Sequence, residues 1–474
     1  MTERGSNDCP RCHAWEQLVQ GLQAQVSQLQ ARLADLERQL AAARKNSGNS
    51  SKPPSSDVVS PRRTVPLGQK RRRGGQPGHA RHERPPFPPE EIDCCCEYRY
   101  DACPCCGGQL QDLPGAEQTL QQVELVERPF RVAEHRRIGQ WCPACRKFQQ
   151  APLPEELARA GLVGPRLTAL VGWFKGVCHM SYSSIRKFFR DCLSLPISRG
   201  HLAKLVAKVS HSLKDPYEEL LNVLAQEARL NVDETGHKDQ GRRLWAWCFR
   251  AALYTVFKVA PSRGSEVLVE TLGQEFNGVL GCDYFSAYRK YMREFGVELQ
   301  FCLAHLIRDV KFLAEHPDAS NRDYGQRLLA LLRKLFAVIH RREEYAGEAT
   351  FRRALERVRA DLVWEATLEA PDTREAANLA ERFYQHTESY FRFITTPGIE
   401  PTNNLAEQAI RFVAIHRRLT QGTRGSVGQR WVERMATVVT TCAQQGRSAL
   451  EFFSHAVAAS FRGQVAPSLL PNTS

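Results

Sequence analysis

From Arg229 to Ala260 the chain reads RLNVDETGHKDQGRRLWAWCFRAALYTVFKVA, and this stretch decides the fold. RLNVDETGHK, RLWAWCFRAA and YTVFKVAP, rich in Val, Thr, Trp and Phe, read as three consecutive strands. A helical SEVLVETLGQEF follows, then a strand within NGVLGCDYFSAYRKY, then a strand and helix in VELQFCLAHLIRD. Asp233 lies within the first strand and Asp283 ends the fourth, each after an apolar run that should place it at the sheet's edge, facing a cleft. A lone Asp at a strand end is usually a turn or capping residue, so the pair carries weight only together.

Three strands, a helix, a strand, and a further strand and helix is the order of a ribonuclease-H-like sheet. After Arg308 the pattern turns helical, with Leu328, Leu331, Leu332, Leu335 and Ile339 at helix spacing, and strand signals do not return. Then comes GIEPTNNLAEQAIRFVAIHRR. Thr402 or Asn403 can cap a helix in which Glu407 and Arg411, four apart, share one face. A helical interruption before this last acidic helix accounts for the 124 residues between Asp283 and Glu407. Cys302 and His305, three apart, would either ligate a metal or position DNA, or serve as hydrogen-bonded scaffolding. Asn403 and Asn404 are read first as capping residues.

Upstream, Trp15, Val19, Leu22, Val26, Leu29, Leu33, Leu36 and Leu40 alternate at spacings of four and three, a heptad seam that predicts a self-associating leucine zipper. From Asn46 to Pro89 the chain is rich in Gly, Pro and Ser, too poor in apolar residues to fold alone, and carries Lys70, Arg71, Arg72 and Arg73, an arm suited to phosphates. CPCCGG and WCPAC supply two Cys-x-x-Cys knuckles. Cys103, Cys106, Cys142 and Cys145 give the four thiolates of a closed structural zinc site, with Cys105 competing for assignment. Cys94, Cys95 and Cys96 are extra thiols, and Cys9 and Cys12 lack partners nearby. Between Gly164 and Asp215 two short helices with a turn, the second carrying Arg199, His201, Lys204 and Lys208, fit either a helix-turn-helix or a generic three-helix bundle.

Composition sets the outer limits. The 474 residues exceed one compact core and predict two to four units at an ordinary roughly 100–200 residues each. Lys and Arg number 65 against 52 acids, a net +13, and with 42% apolar residues this describes a folded chain with a polyanionic partner. The charge is concentrated: Arg62 to Arg84 holds eight bases and one acid, Gln408 to Arg434 six and one. In the second patch Arg411, Arg417, Arg418 and Arg424 are expected to bind phosphate beside the active site. Sixteen cysteines in a long chain, clustered as knuckles, indicate metal rather than disulfides. Met1 to Cys12 has no signal-peptide character and no run of about 18 apolar residues occurs, so a cytoplasmic protein is expected.

The zipper followed by KNSGNSSKPPSSD, then GGQPGH, CPCCGG, VDET, CDYFSAY, FCLAHLIRD and NNLAEQAIR, in that order, resembles the transposases of the insertion-sequence-66 family from about residue 15 to about 445. The resemblance implies a DDE catalytic core with Asp233, Asp283 and Glu407 as its acids, in a bacterial, nucleoid-associated protein. It also suggests element-encoded accessory partners. The tail after Phe461 is short, and a further C-terminal segment carried by some relatives is expected to be missing. Hard ions select carboxylates, and two of them about 3.5–4 Å apart serve phosphodiester chemistry, so magnesium or manganese is the expected cofactor beside zinc. Asp233 would bridge both ions while Asp283 and Glu407 each hold one.

The expected architecture is multidomain α+β: a ribonuclease-H-like α/β core with an all-helical insertion, preceded by coiled coil, zinc ribbon and helix-turn-helix. Its parts are 1–45 (zipper), 46–92 (basic linker), 93–150 (ribbon), 151–215 (helix-turn-helix), 216–309 (core), 310–396 (insertion), 397–445 (catalytic helix) and 446–474 (tail). The expected function is a DNA transposase of an insertion sequence, acting as a homodimer or higher assembly on double-stranded DNA, both terminal inverted repeats and target. Its rivals are a catalytically inactive DNA-binding regulator and a stand-alone nuclease.

Overall fold

The computed structural model describes residues 10–43, 45, 49, 85–111, 118–126 and 128–470. The arm Lys70, Arg71, Arg72 and Arg73 lies outside the described residues, as does Cys9. Helix α1 (Pro10–Ala43) is continuous, and its seam residues Trp15, Val19, Leu22, Val26, Leu29, Leu33, Leu36 and Leu40 are all exposed. Strands β1 (Gly139–Cys142) and β2 (Lys147–Gln150) form an antiparallel hairpin around the second cysteine knuckle.

Five helices follow: α2 (Glu155–Ala160), α3 (Pro165–Gly176), α4 (Tyr182–Leu193), α5 (Arg199–Ser212) and α6 (Lys214–Val223). Ser181 and Ser198 cap α4 and α5, accepting the N–H groups of Ser184 and His201 at 3.0 and 3.1 Å. Helix α5 buries Leu202, Leu205, Val206 and Val209, and leaves Arg199 and Lys204 exposed. Lys208 is committed internally instead, donating to the carbonyls of Arg159 and Ala160 at 2.8 Å each.

The sheet is built from β3 (Arg229–Asp239), β4 (Arg242–Arg250), β5 (Thr255–Ala260), β6 (Val279–Cys282) and β7 (Glu298–Phe301), with α7 (Glu266–Leu272) and α8 (Ser286–Phe295) in the crossovers to β6 and β7. Its order is β5-β4-β3-β6-β7; β4 runs antiparallel to both of its neighbours, β5 and β3, and β6 and β7 run parallel to β3. The β3–β4 turn consists of Gln240 and Gly241 at φ +49° and +82°, the left-handed pair that matches strand twist in a two-residue hairpin. Four consecutive residues of β4, Ala246 to Phe249, are buried, so this strand is covered on both faces.

Helices α9 (Leu303–Ala314), α10 (Ala319–His340), α11 (Glu348–Thr367) and α12 (Arg374–Thr395) then pack in succession, before α13 (Asn404–Thr420), α14 (Ser426–Gln444) and α15 (Ala449–Arg462). The segment expected as a tail thus contains a helix. Phe452, Phe453, Ala456, Val457 and Phe461, at helix spacing, are buried where α15 packs on α2, α3 and α5. Among the described residues no helix is long and apolar enough to cross a membrane.

The β5 edge of the sheet is closed by side chains, and β7 at the other edge is tied to a helix. On β5 the N–H groups of Thr255, Phe257 and Val259 donate to Thr441 Oγ1, Thr437 Oγ1 and Glu433 Oε1 at 3.1, 2.9 and 2.8 Å. Those three acceptors, four apart on α14, run along the strand and replace a neighbouring strand's carbonyls. On β7, Gln300 donates to the Tyr390 carbonyl at 3.0 Å and accepts the Phe393 N–H at 2.8 Å. Helix α12 is irregular at His386 and Phe391, which frees these backbone groups from the helical ladder. Thr437→Val keeps the side-chain shape but leaves the Phe257 N–H buried and unpaired. It is expected to cost about 1–3 kcal/mol, read as a lower urea midpoint at unchanged slope.

Candidate active site

Strand register sets the first two carboxylates side by side. Asn231 of β3 pairs with Gly281 of β6 in the parallel ladder. Asp233 and Asp283 each lie two residues further on, hence on the same face of neighbouring chains about 4.8 Å apart. Along β3, Leu230, Val232 and Glu234 are buried, whereas Asn231, Asp233 and Thr235 form the half-buried face. Asp283 Oδ1 accepts the Phe285 N–H at 2.9 Å as the chain turns into α8.

The third carboxylate is delivered by α13. Asn403 occupies the position before this helix but makes no side-chain cap, contrary to expectation. Its amide donates to the Val232 carbonyl at 2.7 Å and accepts from Asn231 Nδ2 at 3.0 Å, while its N–H meets Cys302 Sγ at 3.1 Å. Glu407 is one turn further on. Its Oε2 lies 3.4 Å from Arg308 and its Oε1 3.5 Å from His305 Nδ1, both residues on α9. Glu407 Oε1 and His305 Nδ1 are buried without a hydrogen-bond partner.

These acids feel one another. Asp233 is held well above the usual carboxylate range by burial and by the charges of Glu234, Asp283 and Glu407. Asp283 is pushed up to about 6 by burial and Glu234, against the opposing pull of His305, the Phe285 N–H and Arg263. Burial lowers His305 below the ordinary histidine value, although Glu407 and Asp283 pull the other way. A neutral imidazole therefore faces the carboxylates near neutral pH.

Glu234 was not singled out from the sequence. It is buried beneath the site, paired with Arg263 at 2.6 Å and hydrogen-bonded by Tyr288. The signal was present in VDET, where period-two alternation sends Glu234 to the opposite face from Asp233. Of the arginines expected to meet phosphate, Arg411, Arg418 and Arg424 are exposed. Arg417 is half-buried and donates to Thr235 Oγ1 at 3.4 Å, on the same face of β3 as Asp233. Asp309 is paired with Arg382 at 2.8 Å.

The cysteine knuckles repeat one local geometry. Gly107, after Cys106, and Arg146, after Cys145, both adopt left-handed φ, +70° and +52°. Backbone N–H groups of Cys105 and Cys106 lower the Cys103 thiol, and those of Cys145 and Ala144 lower Cys142. Cys103 thus corresponds to Cys142 and Cys106 to Cys145, which leaves Cys105 in the place of Ala144. Among the described residues, a close group of three possible metal ligands is Cys302, His305 and Glu407, with donor atoms within 4.8 Å of one another. The four ribbon thiols and the three carboxylates are not gathered that tightly.

These features define an α+β protein with a carboxylate site at the end of a mixed sheet and a separate cysteine-knuckle module. Residues 160–430 match the family model of Transposase IS66 family, and residues 101–146 match the zinc-finger binding domain of transposase IS66. The chain belongs to the IS66 transposase family. Residues 9–85 match a family of unknown function. Two relatives from Sinorhizobium fredii, the uncharacterized proteins y4hP and y4qI, are each 24% identical to it. The similarity spans 72% and 74% of this chain and 67% and 69% of theirs.

Asp283 gives a pH test. Its folded value of about 6 exceeds the ordinary 3.8, so the folded state keeps a proton that the unfolded chain loses. Stability from this group is present at acid pH and is lost as pH rises from about 4 through 6. Metal-free Asp283→Asn should therefore exceed the parent in stability at pH 7.5, by on the order of 2 kcal/mol, and the gap should close near pH 4. Thermal melts of both proteins across that range check it.

Proposed function

We propose that this transposase cuts and joins DNA through a DDE triad of Asp233, Asp283 and Glu407 on a ribonuclease-H-like core. The observation that carries the reading is electrostatic. Asp283 and Glu407, 124 residues apart in sequence, both raise Asp233. The strand order β5-β4-β3-β6-β7, with three antiparallel strands and two parallel ones, supports the same core.

The donor set fits a hard divalent ion. Glu407 Oε1 is buried without a donor, and burial with neighbouring negative charge holds protons on Asp233 and Asp283, as in a site short of positive charge. Asp233, Asp283 and Glu407 would hold magnesium or manganese, which when bound supplies activation of a water or a DNA 3′ hydroxyl and stabilisation of the leaving oxygen. Arg308 fixes one oxygen of Glu407 and leaves the other directed toward His305. His305, neutral, sets the rim of the site without adding charge. Arg411, Arg418 and Arg424, exposed along and after α13, are suited to the phosphates of the strand entering the site.

The remaining parts would hold the substrate. Helix α1 with its exposed heptad seam would pair two chains, and the ribbon would fold around zinc on Cys103, Cys106, Cys142 and Cys145. Arg199 and Lys204, with the arm Lys70 to Arg73, would contact the element's terminal repeats.

Asp233→Asn and Glu407→Gln are each expected to lower cleavage of labelled element ends on the order of 10⁴-fold while DNA binding by gel shift persists. Unchanged cleavage would remove the catalytic assignment, and cleavage without joining in the parent would make the protein a nuclease. Cys142→Ser should lose one zinc per chain by elemental analysis and weaken binding to element ends; full zinc retention would refute the ribbon ligands.

A further inference from the structure

Cys302 and His305 stand at the start of α9, immediately after β7, and face Glu407 across the end of α13. The donor atoms of the three residues lie within 4.8 Å of one another. Ligands of a tetrahedral zinc ion, at about 2.0–2.3 Å from the metal, sit roughly 3.3–3.8 Å apart. Closing the remaining gap takes about an ångström, within the reach of side-chain rotation.

Two of the three donors are already short of a partner. Glu407 Oε1 and His305 Nδ1 are buried, 3.5 Å apart, and neither makes a hydrogen bond. Arg308 engages the other carboxylate oxygen, so Oε1 alone is left for an ion. Cys302 is 2% exposed, and its sulfur accepts the Asn403 N–H at 3.1 Å, a contact that favours a thiolate although burial pushes the free thiol up to about 11. The set is thiol, imidazole and carboxylate, and magnesium takes neither of the first two.

We propose that Cys302, His305 and Glu407 form a second metal site, selective for zinc or a similar borderline divalent ion, which shares Glu407 with the carboxylate site and therefore opposes it. Zinc binding here would displace the Cys302 thiol proton to solvent, form a metal–sulfur bond and hold Glu407 Oε1 beside His305, out of reach of an ion on Asp233 and Asp283. The fourth coordination position is left to water. That the two sites oppose each other rests on the catalytic reading of Glu407; the existence of the zinc site does not.

The test uses the full-length protein equilibrated with buffered free zinc without magnesium, followed by elemental analysis. Relative to the parent, Cys302→Ser should bind one zinc fewer per chain, and Asp233→Asn should bind the same number. Added magnesium should lower the parent's zinc content by up to that one equivalent. In cleavage assays, the zinc concentration giving half inhibition should rise at least tenfold in Cys302→Ser. Equal zinc content in the parent and a folded Cys302→Ser overturns the site, as does loss of the same zinc in Asp233→Asn. If Cys302→Ser does not fold, the isosteric Glu407→Gln must show the missing equivalent, and retention overturns the site. Should Asp233→Asn still cleave DNA while Cys302→Ser loses its zinc, the catalytic reading fails and the zinc site stands.

Discussion

The side chain of Asn403 is the tie on which the arrangement depends. It joins the first strand of the sheet, through Asn231 and Val232, to a helix that arrives 170 residues later, and its backbone meets the sulfur of Cys302. Next to it, the Leu303 N–H donates to the Pro401 carbonyl at 2.9 Å, and the Cys302 N–H to the Cys282 carbonyl at 2.8 Å. Removing one member of this buried network would leave its partners unpaired, which makes the position of α13 a discrete choice rather than a loose docking. Glu407 inherits that precision because it is one helical turn away.

The same site works against the stability of the fold. Burial and neighbouring negative charge raise the proton affinities of Asp233 and Asp283, with Arg263 on Glu234, Arg308 on Glu407 and a neutral His305 close by. The surrounding frame is correspondingly firm: Arg382 locks Asp309 and Tyr390 together, and Glu433, Thr437 and Thr441 hold α14 along β5. Electrostatic crowding of this kind is tolerated where the neighbourhood is over-determined.

Much of this was legible from local pattern. Runs rich in Val, Thr, Trp and Phe located the strands, and the apolar runs before Asp233 and Asp283 located their shared edge. Glu407 was legible from NNLAEQAIR only as a helical acid, and its meeting with Asp233 needed either a resemblance or a structure. The role of Asn403 was misread because an asparagine before a helix looks the same whether it caps that helix or reaches to a strand 170 residues away. Non-local partners also hid the spacing of Glu433, Thr437 and Thr441, which reads as one helix face with no hint that the acceptors serve β5. The choice between Cys105 and Cys106 turned on a backbone feature, a left-handed residue after the second thiol, that Gly107 suggests and Arg146 does not. The helix following Ser448 was readable from its phenylalanine spacing, and its position after the last acidic helix disguised it as a tail.

The closure of β5 by α14 has a consequence for biosynthesis. The strand is complete once residue 260 has been made, and the residues that cover its edge lie between 433 and 441. During the synthesis of more than 170 intervening residues the growing chain carries an open strand edge, able to pair with a neighbouring nascent copy on the same message. Glu407 is also made late in this interval. A chain released before residue 407 would therefore carry the open edge without that carboxylate, and one released between 407 and 433 would carry both.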